Sequence, residues 1–100
     1  MTMGAPYEFN WYLVVASNDA IKEIGKNRYG TLKSENRIYP INSEIPLIVK
    51  EIGCIGVVRI LRFTIDKDST EIEFEYVSEL NLDGKVSKHY YDMYLEMKNK

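Results

Sequence analysis

Cysteine, histidine and tryptophan each occur once in these 100 residues, and that scarcity removes whole classes of chemistry before any pattern is read. Cys54 alone cannot close an intramolecular disulfide, so the chain suits a reducing compartment. Together with His89 it offers two nitrogen or sulfur ligands where a structural zinc site takes about four, which argues against a metal site. Long hydrophobic runs are missing too. The longest, Trp11 to Ala16, falls far short of the roughly 20 residues of a membrane helix. Met1 to Phe9 has neither the basic start nor the apolar core of a secretion signal, so no membrane partner is expected and the cytoplasm is the expected location. With a formal net charge of −2 there is no global positive field to draw in DNA or RNA, and nucleic-acid binding would need a local basic patch. No catalytic triad, phosphate loop or cofactor motif is present, so the chain does not read as an enzyme and no cofactor is implied.

What is present is the composition of one ordinary globular domain, 45% apolar and 28% charged, large enough for a single modest core. The clearest signal is a strand alternation. From Thr70 to Leu82, Ile72, Phe74, Tyr76, Ser78, Leu80 and Leu82 fall on one parity and Glu71, Glu73, Glu75, Glu79 and Asn81 on the other. Successive side chains of an extended chain point to opposite faces, so this segment has one buried face and one wet, acidic face. Cys54 to Asp66 is a second long strand, apolar on both parities near its start, as in a strand covered on both faces or one bent across a barrel at Gly53 and Gly56. A two-residue turn at Lys67-Asp68 sets a register in which Leu61 faces Phe74, Phe63 faces Ile72 and Arg62 faces Glu73, pairs worth about 0.2–1 kcal/mol each. Leu61, Phe63, Ile72 and Phe74 are therefore the expected centre of the core.

Upstream, Tyr7 to Ala16 reads as a first strand, Arg28 to Tyr39 as one or two short strands around Gly30, and Leu47 to Glu51 as another. Ala20 to Ile24 is too short for a stable helix. Downstream, Asp83-Gly84 is a strong hairpin signal that would pair Tyr76 with Tyr91 and Phe74 with Met93. The same register opposes Glu75 to Asp92 and Glu71 to Glu96, which is unfavourable, and Val86, Tyr90, Met93, Tyr94 and Met97 also mark one helical face. The expectation is a mostly β fold, a small antiparallel barrel or strongly curled sheet of about five to seven strands, with the C-terminal segment a strand and a helix as the alternative. A last strand with a free edge would template a second copy, a weak homodimer.

Three stretches carry a resemblance: Met3-Gly4-Ala5-Pro6-Tyr7-Glu8-Phe9-Asn10, Asn36-Arg37-Ile38-Tyr39-Pro40-Ile41 with Ile45-Pro46-Leu47, and Gly56-Val57-Val58-Arg59-Ile60. They resemble a family of short bacterial proteins classed only as a domain of unknown function, over roughly residues 3–82, with 83–100 an extension of the single domain 1–100. That resemblance implies a cytosolic bacterial protein with a compact β-rich fold and transfers no catalytic residue. Gly30-Thr31-Leu32-Lys33-Ser34-Glu35-Asn36-Arg37 also resembles the Gly-x-Lys-x-x-Glu-x-Arg signature of ASCH domains, a branch of the PUA-like barrels linked to RNA, although the spacing on either side of the lysine differs by one residue.

The candidate site residues are Lys33, Glu35, Arg37, Arg59 and Tyr76. In an extended chain Lys33, Glu35 and Arg37 would share one face, where two cations flanking a carboxylate can hold a phosphate or a base edge; the ordinary alternative is a solvated, self-paired strand face. Arg59 has the parity of Val57, Leu61 and Phe63 and falls opposite Tyr76, so it could present a guanidinium to an anion at a barrel mouth; the alternative is a bulge that turns it outward. Eight tyrosines are many for this length, either binding surface or enlarged core. The Glu71, Glu73, Glu75 and Glu79 ladder is too spread along a strand to chelate calcium and reads as a solvated face. The composite expectation is a non-catalytic binding or protein-interaction module with a protein or small-molecule partner. The second is an RNA-associated PUA-like barrel with a Lys/Glu/Arg cleft.

Overall fold

The computed structural model describes residues 8–9, 11–35 and 37–98. Tyr7 and Asn10 of the expected first strand, and Asn36 of the Lys/Glu/Arg stretch, lie outside the described residues. Along the chain run β1 (Glu8–Phe9), β2 (Leu13–Val15), a 3-10 turn (Asn18–Ala20), β3 (Lys22–Gly25), β4 (Arg28–Ser34), β5 (Arg37–Ile38), β6 (Glu44–Val49), β7 (Gly53–Asp66), β8 (Ser69–Glu79) and α1 (Lys85–Lys98). Six strands form one sheet in the order β2-β6-β7-β8-β4-β3, antiparallel except where β2 lies parallel to β6. β1 and β5 make a separate parallel pair. The fold is mostly β, as expected, with the sheet left open rather than closed into a barrel. Among the described residues no helix is long and apolar enough to cross a membrane.

The sheet is strongly curled, and one hydrogen bond demonstrates it. Lys33 on β4 donates from Nζ to the Val14 carbonyl on β2. Those strands stand four positions apart in the sheet, about 19 Å if it were flat at roughly 4.8 Å per strand. An extended lysine side chain, five bonds of about 1.5 Å, spans only roughly 6 Å. The two sides of the sheet must therefore curve toward each other, and the β1–β5 pair spans the same seam, since β1 leads toward β2 and β5 follows β4.

Curvature comes from residues inserted into the ladders. The Lys67-Asp68 turn and the pairs Phe63–Ile72 and Arg62–Glu73 form as expected, with Lys67 at φ 58°. Beyond them Leu61 is an extra residue: Ile60, not Leu61, faces Phe74, and Arg59 faces Glu75 while Val58 faces Tyr76. Ile55 is likewise extra on β7 against β6, and Val77 extra on β8. Each such bulge bends its strand and reverses the facing parity. That is why β7 reads as apolar on both parities, and why the expected core membership of Leu61 and the Arg59–Tyr76 pairing are both wrong. The concave face buries Leu13, Val15, Tyr39, Ile45, Leu47, Val49, Val58, Ile60, Ile72 and Phe74 in one cluster. Phe63 and Tyr76 pack against it half-buried. Gly56 is required here, because a Cβ on it would stand 2.8 Å from the Ser78 carbonyl and 3.2 Å from the Tyr76 ring.

The C-terminal segment is the helical alternative. A type I′ hairpin needs positive φ at both central residues, and neither Asp83 nor Gly84 has it. Instead the Gly84 N–H donates to the Asn81 carbonyl at 2.8 Å, the Asn81 side chain accepts from the Asp83 N–H at 3.0 Å, and the chain enters α1 with Lys88 N–H bonded to Gly84 at 3.1 Å. The helix avoids the carboxylate oppositions of the strand register. It docks on the convex side of β7 through Ser87, whose hydroxyl donates to the Cys54 carbonyl at 2.5 Å, and half-buries Tyr90, Tyr91, Tyr94 and Leu95. That face is rotated from the expected one, leaving Val86 and Met93 exposed. The strand edge expected to template a homodimer does not exist. The first strand is also interrupted: Trp11 is 55% exposed between β1 and β2. β3, whose side chains are all exposed, has no clear signature in the sequence.

The bulge makes a sharp comparison of neighbours. Ile60→Ala should cost about 2–5 kcal/mol and Phe74→Ala about 3–5 kcal/mol, both side chains being fully buried, whereas Leu61→Ala should cost much less. Urea denaturation of the three variants measures this. Equal losses for Ile60→Ala and Leu61→Ala would refute the bulge.

Candidate functional site

The wet face of the sheet neutralises its own cations. Glu73 pairs with Arg28 at 3.1 Å and with Arg62 at 3.3 Å, and Arg59 is held between Glu75 at 2.7 Å and Glu44 at 3.2 Å. Arg59 is therefore an outward, paired surface residue. Tyr76 sits on the opposite, concave face, edge-on to Tyr29 with ring centroids 5.0 Å apart and 6.0 Å from Phe74. Of the five expected site residues, these two leave the site. A second groove over Gly30, of about 610 Å³, repeats the outward pattern, Lys22 and Arg62 sharing it with Glu71 and Glu73.

Lys33 and Arg37 do come together, though not through strand alternation. Glu35 has φ +71° and breaks the strand between β4 and β5. Buried Thr70 pins that kink: its hydroxyl donates to the Glu35 carbonyl at 2.8 Å and accepts from the Arg37 N–H at 2.9 Å, while the Glu35 N–H bonds the Asp68 carbonyl. The kink turns Glu35 out to solvent, 3.4 Å from Arg37 at the rim. Arg37 is fixed by a 2.8 Å hydrogen bond from Nε to the Ser34 carbonyl, and Lys33 by its bond to Val14. Both cations are thus oriented by backbone carbonyls.

The cleft they line lies at the seam of the curl, is open to solvent and has a volume of about 450 Å³. Lys50, at the end of β6, and Lys98, in the last turn of α1, bring two more positive charges to it. No carboxylate lines it among the described residues. Lys98 also offsets the partial negative charge of the helix C-terminus, which would otherwise oppose an anion. The remaining walls are largely aromatic: Trp11, Tyr12, Tyr39 and Tyr94, with Met97. Tyr12 and Tyr94 meet at 6.1 Å between centroids. Burial pushes the Tyr12 phenol above its ordinary pKa, with Tyr90 and Cys54 adding to the effect, so at neutral pH it is an uncharged donor and does not repel an anion. Lys50, Lys98, Trp11 and Tyr94 escape sequence reasoning because they come from segments far apart in the chain and have no shared period.

The family model described as Domain of unknown function (DUF2584) matches residues 3–82. The chain belongs to that family. The DUF2584 match therefore includes Lys33, Arg37 and Lys50 and stops before α1, so Tyr94, Met97 and Lys98 stand outside it. The fold is similar to the crystal structure of protein ytmB from Bacillus subtilis, at a TM-score of 0.70 and 22% identity, over 78% of this chain and 95% of that one. No curated protein matches the chain.

Ionisation of the interior sets a pH dependence. Burial raises the Cys54 thiol and the Tyr12 and Tyr76 phenols above their ordinary values, so the folded state holds these protons more tightly than the unfolded chain does. The stability they contribute is complete below the ordinary thiol pKa of about 8.5 and is lost as pH rises through the raised values. The urea midpoint should fall steadily from pH 8 to pH 11, and Cys54→Ala should remove the earliest part of that fall. A midpoint that rises over this range would contradict the assignment.

Proposed function

We propose that the protein is a non-catalytic binding module whose site is the cleft of Lys33, Arg37, Lys50 and Lys98, and that its ligand is a small anion. One observation carries this reading: Lys33, Arg37, Lys50 and Lys98 converge from three separate parts of the chain on one concave volume walled by Trp11, Tyr12, Tyr39 and Tyr94. A concave volume with apolar and aromatic walls and a few convergent polar groups is the usual make-up of a ligand site. The nucleophile candidates support a non-catalytic role. Cys54 is fully buried with its thiol 3.3 Å from the Gly56 carbonyl, and His89 lies exposed on α1.

An RNA-associated role is the second reading, favoured by the meeting of Lys33 and Arg37 with aromatic rings. It needs a continuous cationic track for the backbone. Arg28 and Arg59, the residues that would extend one, are spent on Glu73, Glu75 and Glu44.

Trp11, the single tryptophan, lines the cleft and reports on it directly. Inorganic pyrophosphate should change its fluorescence saturably, and added salt should weaken binding. Lys50→Glu, at an exposed residue, should weaken it about tenfold, or about 1.4 kcal/mol, while Arg59→Gln should leave it unchanged. Single-stranded RNA should bind no tighter than about 10⁻⁶ M at physiological salt. No response to pyrophosphate, or nanomolar RNA binding abolished by Arg37→Ala, would overturn the proposal.

A further inference from the structure

The helix α1 carries two apolar faces where docking on a sheet uses one. Ser87, Tyr91, Tyr94 and Leu95 make up its buried or half-buried side. On the neighbouring flank Val86, Met93 and Met97 stand 54%, 41% and 52% exposed, with half-buried Tyr90 among them. The steps from Val86 to Tyr90 to Met93 to Met97 are four, three and four residues, the spacing of a coiled-coil seam, so the four side chains lie along one stripe. A row of large apolar side chains in water marks a contact surface, as scattered single ones do not. Beside the stripe runs a second row, one residue earlier at each step: Lys85, His89, Asp92 and Glu96, all exposed. Its cationic end is at the helix N-terminus and its carboxylates lie toward the C-terminus, while the first turn holds no acidic residue. That order opposes the helix dipole, and Asp92 and Glu96, one turn apart, repel each other, so within a single chain the row is unfavourable.

We infer that this stripe packs against the same stripe of a second copy of the chain, the two helices antiparallel about a two-fold axis. Antiparallel packing sets Val86 level with the partner's Met97 and Tyr90 level with the partner's Met93, which keeps the seam apolar along its length. It also brings the same flank of both helices together, so Lys85 stands within a turn of the partner's Glu96 and His89 within a turn of the partner's Asp92, twice over by symmetry. The partner's carboxylates thereby reach the helix N-terminus that lacks its own. Parallel packing would instead set like ends level. The charged row meets its own reverse, which selects a second copy over an unrelated protein. A 14-residue helix is about 21 Å long. A contact of that length lies at the small end of specific interfaces, below about 1,200 Å² in total, so the dimer is weak, with a dissociation constant above about 10⁻⁶ M. The inference goes beyond the anion site and does not depend on it. Because α1 lies outside residues 3–82 of the family match, self-association belongs to the extension.

Sedimentation velocity of the full chain, from about 10⁻⁵ M to about 10⁻³ M and without added ligand, tests this. The sedimentation coefficient should rise with concentration toward that of a dimer. Met93→Lys, at an exposed position, should keep the protein monomeric over the same range. Lys85→Glu and Glu96→Lys should each weaken association at least about tenfold, although both substitutions suit the helix dipole and so leave the fold intact. Their equimolar mixture should associate at least as tightly as the parent, because each variant then faces the opposite charge on the other. A parent chain that stays monomeric at about 10⁻³ M would overturn the inference. Dimerisation that survives Met93→Lys would overturn the choice of face, and a mixture that associates no more tightly than its components would overturn the antiparallel order.

Discussion

Everything in this molecule depends on curvature. One six-stranded sheet with a single helix on its convex side cannot bury a core unless its concave face closes on itself, and a regular ladder would leave that face open. The extra residues Ile55, Leu61 and Val77 interrupt the ladders along β7 and β8 and supply the bend. Curvature lets Phe74 and Ile72 at the centre meet Leu13 and Val15 from the sheet's edge in one cluster. It also brings Lys33 within reach of the Val14 carbonyl across the seam. The same geometry that makes the core makes the cleft.

Electrostatics then divides the surface into two parts. On the convex face, cross-strand neighbours alternate in sign, and Arg28, Arg59 and Arg62 are absorbed by Glu44, Glu73 and Glu75. At the seam, the kink at Glu35 carries its carboxylate to the solvent rim, where it stays 3.4 Å from Arg37, and the end of α1 adds Lys98. A chain with a formal net charge of −2 thereby concentrates positive charge in one place. Net charge says little about such a site, because the field a ligand meets is set by the few charges within about a Debye length of it, roughly 8–10 Å at physiological salt.

Period-2 alternation made β8, the Lys67-Asp68 turn and the mostly β class legible in the sequence, because parity and turn chemistry are local. The bulge at Leu61 was not, since an inserted residue leaves two apolar parities that look alike until partners are known. Asp83-Gly84 is a good hairpin pair in isolation, yet Asn81 captures the turn with its own side chain and Ser87 anchors a helix to Cys54, a tertiary contact no local rule contains. Lys33 and Arg37 were recognised as a pair through an alternation that does not exist. What joins them is Thr70, reaching back from β8 to hold both ends of the kink. Lys50 and Lys98 carried no signal, being isolated lysines whose meaning is given only by the seam.

The central claim is that this seam, and not the arginine-studded outer face, is where a ligand binds. Backbone amide and tryptophan indole resonances followed by NMR during a pyrophosphate titration test it residue by residue. The account predicts that the largest shifts fall on Trp11, Lys33, Arg37, Lys50 and Tyr94, leaving Arg28, Arg59, Arg62 and Glu73 still. Shifts concentrated on those outer-face residues, or spread evenly over the sheet, would contradict it.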